Sequence, residues 1–244
     1  MAVASCGGGL TAEVAHHASG PLGVAVGLAA TAGFVDAFVY LRVAPVFVAN
    51  MSGNLIRLGM ATGQRNGSAV VAALIALGGF IAGAIAAAIE INRHVRRGSR
   101  PNPAPILIVE ALLLAAAALI VRIEHIRFSP TVGAADYAVI VIAAVAMGAQ
   151  ATALRRVGRI AVSTTYGTGA VVRLAEKIAL AVRRAERPDG QRRRVTIAVL
   201  SVILVSYVAG AAIAAAMSRS SLVLLLPIAA TMAAGIVVHR QGEL

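Results

Sequence analysis

Long apolar runs alternate with short polar stretches along almost the whole chain. The runs Pro21 to Leu41, Ser68 to Ile89, Ala104 to Val121, Thr131 to Leu154, Val195 to Met217 and Leu222 to Val238 carry few charges. A helix needs about 20 such residues to cross a bilayer core. The pattern therefore predicts six transmembrane helices. Residues 1–20 are small and polar and read as a disordered N-terminal tail. Residues 21–238 form one transmembrane domain, and 239–244 a polar C-terminal tail.

Two stretches interrupt this pattern. FVANMSGNLIRL, from Phe47 to Leu58, crowds Asn50, Ser52, Gly53 and Asn54 into apolar surroundings, with Arg57 one turn on. The second half carries an echo: Ser163, Thr164, Thr165, Gly167, Thr168 and Gly169, then Arg173 and Leu174. The pairs Gly53/Gly169, Arg57/Arg173 and Leu58/Leu174 are each 116 residues apart. Each half, 21–121 and 131–238, thus reads as span, special segment, span, span. If neither special segment crosses, three spans per half is odd, and the halves are inverted relative to one another. The expected fold class is all-α: a polytopic membrane helical bundle of six transmembrane spans. It has two re-entrant or broken-helix segments and a pseudo-inverted repeat of two halves. The breaks are expected at Ser52-Gly53-Asn54 and Thr168-Gly169. Inverted repeats with discontinuous helices are a recurring plan of secondary transporters.

Composition agrees with a membrane protein. The 244 residues are 59% hydrophobic and 13% charged, with mean hydropathy +0.85. Soluble domains carry about 25% charged residues. Net charge is +12, which can signal nucleic acid binding. Here the cations lie between apolar spans, so the lipid bilayer is the expected partner and nucleic acid is not. With both special segments returning to the side they came from, sixteen Lys and Arg residues fall on one side and six on the other. That asymmetry places the richer side, and both termini, in the cytoplasm. An arrangement in which only the first special segment crosses also keeps the main basic loops inside. The single cysteine, Cys6, excludes an intramolecular disulfide. His16-His17 has no further ligand at metal spacing, so no metal is expected. The sequence lacks a Walker lysine, H-E-x-x-H and G-x-S-x-G. Neither enzyme activity nor a cofactor is expected. GxxxG pairs at Gly23/Gly27 and Gly79/Gly83 allow close helix approach and permit a homodimer.

Ionisable residues inside spans are costly and often mark ion or proton pathways. Asp36, in GFVDAFVY, leads into the first special segment, with Arg57 or Arg173 as a candidate ion-pair partner. Glu110 sits in ILIVEALLL without a polar neighbour and must face the bundle interior or be protonated. A proton-carrying role and a helix–helix hydrogen bond are both open for it. Asn50, Ser52, Asn54, Thr164, Thr165 and Thr168 offer neutral donors and acceptors beside Gly53 and Gly169. Such groups bind solutes or act as helix–helix glue. Arg57 and Arg173 either attract an anion or snorkel to an interface. Asp136 and Glu90 lie near span ends, where solvation is easy.

The stretch GFVDAFVYLRVAPVFVANMSGNLIRLGMA resembles the YoaK-like family of bacterial integral membrane proteins. The matching positions are Gly33, Phe34, Asp36, Ala37, Phe47, Asn50, Met51, Gly53 and Asn54, with Ser52 in place of a threonine. MGAQATALRRVGRIAVSTTYGTG is similar to a second family pattern at Met147, Gly148, Gln150, Thr164, Thr165, Thr168 and Gly169. The resemblance covers residues 20–240 and implies a polytopic protein of the bacterial inner (plasma) membrane. It implies no substrate. The leading expectation is a secondary transporter or channel for a small solute or ion. Its candidate site comprises Asp36, Asn50, Ser52, Gly53, Asn54, Glu110, Gln150, Thr164, Thr165, Thr168 and Gly169. The other expectation is a non-transporting scaffold or partner-binding subunit.

Overall fold

The computed structural model describes residues 7–98, 102–129, 131–155, 167–183, 190–217 and 224–242. Regular structure among them is entirely helical: α1 (Gly7–Arg42), α2 (Met51–Gly63), α3 (Gly67–Arg96), α4 (Ala104–Ile123), α5 (Ala134–Leu154), α6 (Gly167–Arg183), α7 (Gly190–Met217) and α8 (Leu225–Gly242). Local chemistry sets several boundaries. Asn66 caps α3 by accepting from the Ala69 N–H at 3.2 Å, and Arg93, His94 and Arg96 close the helix at its negative end. Asn102 accepts from the Ala104 N–H at 2.9 Å, and Pro105 stands in the first turn of α4, where no intrahelical N–H is needed. The first helix reaches back to Gly7, into the segment read as a tail. Its apolar, membrane-competent part starts at Leu22.

Among the described residues, five helices are long and apolar enough to cross a bilayer: Leu22–Arg42, Gly67–Arg96, Ala104–Ile123, Ala134–Leu154 and Arg194–Met217. The sixth expected span is the shorter apolar stretch Leu225–Arg240 of α8. The two special segments contain short helices. At about 1.5 Å per residue, the 13 residues of α2 fall well short of the roughly 30 Å hydrocarbon core, and the 17 of α6 include Arg173, Glu176, Lys177 and Arg183, charges that are costly inside a bilayer. The expected break in the first half is displaced. Residues 43–50 form the irregular stretch, and Ser52-Gly53-Asn54 is the continuous first turn of α2. Thr168-Gly169 likewise lies in the first turn of α6, and residues 156–166 before it are outside the described residues.

Buried apolar residues form two principal clusters stacked along the helix axes. One gathers Val24 and Leu28 from α1, Ala87 and Ile91 from α3, Leu107 from α4, Ala153 and Leu154 from α5, and Ala234 and Val238 from α8. The other gathers Phe38 and Val39, Ala72 and Ala76, Leu114 and Val121, Val139 and Ile140, and Ala214 of α7. The start of the apolar part of α1 therefore lies level with the ends of α3, α5 and α8 and the beginning of α4. We call this level the near end, and the opposite one the far end. Ala29 completes a third, smaller cluster with Val199, Leu200 and Ile203, against which Leu22 and Leu174 pack. That places α6 and the start of α7 at the near end. Leu58 packs into the far-end cluster, which places α2 at the far end. Hence α1, α4 and α7 run from near to far, and α3, α5 and α8 run back.

Two parallel pairs, α1 with α7 and α3 with α5, make the most extensive helix contacts. Both cross at glycines. A Cβ on Gly33 would run into the Tyr207 carbonyl, and one on Gly210 into the Ala30 carbonyl. Gly148 meets the Phe80 carbonyl and Gly83 the Val145 carbonyl in the same way. Only glycine permits such backbone approach. Within their apolar windows α1 and α5 are 61% and 67% buried, against 28% for both α3 and α7. The first two are therefore central and the other two peripheral. Val71, Leu74, Ile81, Ile85 and Ile89 form an exposed stripe along α3, the surface expected against lipid chains.

Candidate functional site

Asp36 sits in the last third of α1, 2% exposed, and is met by three donors. Its Oδ1 accepts from the Val48 N–H at 2.6 Å and the Ala49 N–H at 2.7 Å. Its Oδ2 accepts from the Tyr207 hydroxyl of α7 at 2.5 Å. These are the short distances of charge-assisted bonds. Asp36 thus pins the irregular stretch 43–50 to the central helix and ties that helix to α7. Arg57, a candidate partner from sequence, turns elsewhere. It donates to the Tyr40 hydroxyl at 3.3 Å and lies 5.2 Å from the centre of that ring.

The polar residues after Asp36 satisfy one another. Asn54 is fully buried and grips the Phe47 backbone with both ends of its amide. Its Nδ2 donates to the Phe47 carbonyl at 2.5 Å, and its Oδ1 accepts from the Phe47 N–H at 2.9 Å. The side chain of Asn50 caps α2, accepting from the Gly53 N–H at 3.3 Å and the Ser52 hydroxyl at 2.8 Å. A Cβ on Gly53 would lie 2.7 Å from the Phe47 ring, so glycine leaves room for that ring. Asp36, Phe47, Asn50, Ser52, Gly53 and Asn54 therefore form one clamp holding the α1–α2 junction. Beside it, at the far end, Arg57, Gln64, Ser68 and Ser129 border a cavity of about 140 Å³.

A second set of buried polar side chains lies where the near and far clusters meet. Gln150 of α5 donates from Nε2 to the Leu28 carbonyl at 2.7 Å. Thr31 is one turn further along α1, 2% exposed, and its hydroxyl has no hydrogen-bond partner among the described residues. Glu110 of α4 is fully buried, between Leu107 of the near cluster and Leu114 of the far one. Its Oε1 lies 3.4 Å from the Thr231 Oγ1 of α8. The Thr231 hydroxyl also donates to the Pro227 carbonyl at 2.8 Å. The Oε2 of Glu110 is unpartnered among the described residues.

The structure thus divides the sequence-derived candidates. Asp36, Asn50, Ser52, Gly53 and Asn54 come together at the far end, while Glu110 and Gln150 lie at mid-depth on different helices. Gly169 is exposed in α6. Thr164, Thr165 and the side chain of Thr168 lie outside the described residues. Two partners escaped the sequence reading. Tyr207 and Thr231 lie in largely apolar runs, 171 and 121 residues from the acids they meet, and no spacing rule connects them. Among the described residues no group of three metal-ligating side chains occurs.

A family model described as "Protein of unknown function (DUF1275)" matches residues 24–239. The chain is also 32% identical over 191 residues to the UPF0700 transmembrane protein YoaK of Bacillus subtilis (strain 168), covering 77% of this chain and 80% of that protein. No solved structure matches significantly. The matched span takes in all but two residues of the apolar part of α1, all but one of the α8 apolar stretch and every helix between, so the chain belongs to the DUF1275 family of transmembrane proteins.

Proposed function

We propose that the protein is a secondary transporter or channel for a small solute or ion, built from two inverted halves. Each half contributes three membrane-crossing helices and one short helix. The halves are α1 to α4 and α5 to α8. The observation carrying this reading is the duplication of the glycine crossings. Positions 30 and 33 of α1 correspond to 145 and 148 of α5, each 115 residues later. Positions 80 and 83 of α3 correspond to 207 and 210 of α7, each 127 residues later. Exchanging the halves turns one parallel pair into the other. The exchange also turns the α2–α3 contact at the far end into the α6–α7 contact at the near end. Swapping ends in this way is what inversion across a bilayer requires. Repeats of this kind let one half rock against the other around a site at mid-depth. The buried polar residues at the junction of the two clusters supply groups at that depth.

The near end carries Arg93, Arg96, Arg97, Arg155 and Lys177, which favours a cytoplasmic near end in a bacterial inner membrane. The runner-up is a scaffold without transport. It draws on the clamp, whose polar groups are spent on one another rather than left open for a solute.

The test is a thermal-shift screen of the detergent-purified protein against inorganic ions, organic acids, amino acids, sugars and nucleobases. A ligand at 100 times its dissociation constant stabilises by about 2.7 kcal/mol. Solutes that stabilise are then assayed for uptake into reconstituted vesicles. Binding with saturable uptake supports transport. Absence of uptake for every solute tried, by protein that remains folded and inserted, leaves the scaffold.

A further inference from the structure

We infer that Glu110 is a proton-binding site at the centre of the bundle, in which the carboxylic acid donates its own proton to the Oγ1 of Thr231. Three observations carry this. The first is the count of hydrogens. A threonine hydroxyl has one proton and two acceptor lone pairs. The Thr231 proton is committed to the Pro227 carbonyl at 2.8 Å, much the shorter of its two contacts. At the 3.4 Å contact with Glu110 Oε1, Thr231 is then left with a lone pair, which a carboxylic acid can meet with its own proton and a carboxylate cannot.

The second observation is the absence of compensating charge among the described residues. No Lys, Arg or His among the described residues lies within ion-pair distance of Glu110, whereas exposed Glu90 has both Arg93 and His94 beside it. Glu110 packs among α4, α5 and α8. The charged or titratable residues that these helices bring are Arg122 and Glu124 at the end of α4, Asp136 and Tyr137 at the start of α5 and Arg155 at its end, and His239 and Arg240 in the last turn of α8. All stand at the helix ends, and Glu110 is at mid-depth. A bare carboxylate would be fully buried with neither a cation nor an N–H donor, the costliest arrangement for a charge. Asp36 shows the alternative that the same fold builds when it holds an acceptor-only carboxylate: three donors at 2.5 to 2.7 Å.

The third is the donor set. Calcium takes six to eight oxygen ligands and magnesium a near-octahedral shell. Around Glu110 the described side chains supply the carboxyl and one hydroxyl. A proton needs one acceptor and finds it. The Oε2, fully buried and unpartnered among the described residues, is the second lone-pair site through which a proton can be handed on when the halves move. That last role rests on the transport reading. The protonation itself does not.

The experiment is infrared difference spectroscopy on the full-length protein in lipid vesicles, with pH and hydrogen–deuterium exchange as perturbations. Wild type should show the C=O stretch of a protonated carboxylic acid, absent from Glu110→Gln. In Thr231→Val that band should move to the frequency of a carboxyl without a hydrogen-bond acceptor, and Thr231→Ser should restore it. Raising the pH should bleach the band reversibly in folded protein. Identical spectra for wild type and Glu110→Gln overturn the proposal. So does a band that survives unchanged over every pH at which the protein stays folded, since the acid would then be a fixed structural group. Solute uptake tests the transport reading separately and enters neither outcome.

Discussion

Asp36→Ala strips three donors of their common acceptor: the N–H groups of Val48 and Ala49 and the hydroxyl of Tyr207. A buried donor left unmet costs about 1–3 kcal/mol. The variant should lose at least about 3 kcal/mol, read as thermal unfolding in detergent. Asp36→Asn keeps one acceptor oxygen and should lose less. Tyr207→Phe removes a single donor and should cost about 1 kcal/mol. Because both changes break the same bond, a double-mutant cycle of Asp36→Ala with Tyr207→Phe should be non-additive. Asp36→Ala with undiminished stability would show that the carboxylate is kept for chemistry rather than for the clamp. The sequence marks these residues without saying what they touch. Asn50, Ser52 and Asn54 attract notice because they are polar where neighbours are apolar. That they meet the backbone of Phe47 and the N–H of Gly53 depends on how residues 43–50 turn, which periodicity does not encode.

Helix packing gives a sharper contrast among glycines that look alike in sequence. Gly27 belongs to a GxxxG pair, yet an added Cβ there has no atom within 4 Å. Gly148 belongs to no GxxxG pair, yet an added Cβ would strike the Phe80 carbonyl. Gly27→Ala should therefore stabilise the monomer by up to about 1 kcal/mol through helix propensity. Gly148→Ala should destabilise it by about 1–3 kcal/mol or more, since the backbones of α3 and α5 must separate. Thermal unfolding of the two variants in one detergent is the measurement. If Gly27→Ala instead weakens the protein or abolishes a dimer on size-exclusion chromatography, the Gly23/Gly27 face is occupied by a second copy. Five of the six expected spans were legible in sequence because about 20 apolar residues in a row have few alternatives. The pairing of spans was not, since small residues occur on many faces. The GxxxG rule found Gly79 and Gly83, which do pack on α5, but missed the crossings at Gly33, Gly148 and Gly210.

At the scale of the molecule, the two short helices decide the topology. If α2 and α6 remain at the far and near ends, their surfaces face opposite sides of the membrane. Arg65, in the turn after α2, and Glu176, on α6, are both exposed. In a Cys6→Ser background, Arg65→Cys should react with an impermeant maleimide only from outside intact cells. Glu176→Cys should react only after the cytoplasmic side is opened. Reaction of both from one side would mean that one short segment crosses, that the halves are not inverted, and that the duplicated glycine crossings reflect packing alone. The charge distribution bears on the same point. Arg42, Arg57, Arg65, Arg122 and Arg127 lie at the far end, and the first two are tied down. Arg42 donates to the Ile126 carbonyl at 2.9 Å, Arg57 rests on Tyr40, and Arg65 holds a positive φ of 56°. Under the proposed orientation, Arg42 and Arg57 are thus cations that structure holds at the disfavoured end, whereas Arg93, Arg96 and Arg97 end a long helix with exposed side chains. Replacing those three by glutamine should weaken the orientation bias without weakening the fold, because the bias acts on insertion and the glycine crossings act afterwards. The maleimide pattern in that variant should become mixed at both reporter positions while the unfolding temperature holds.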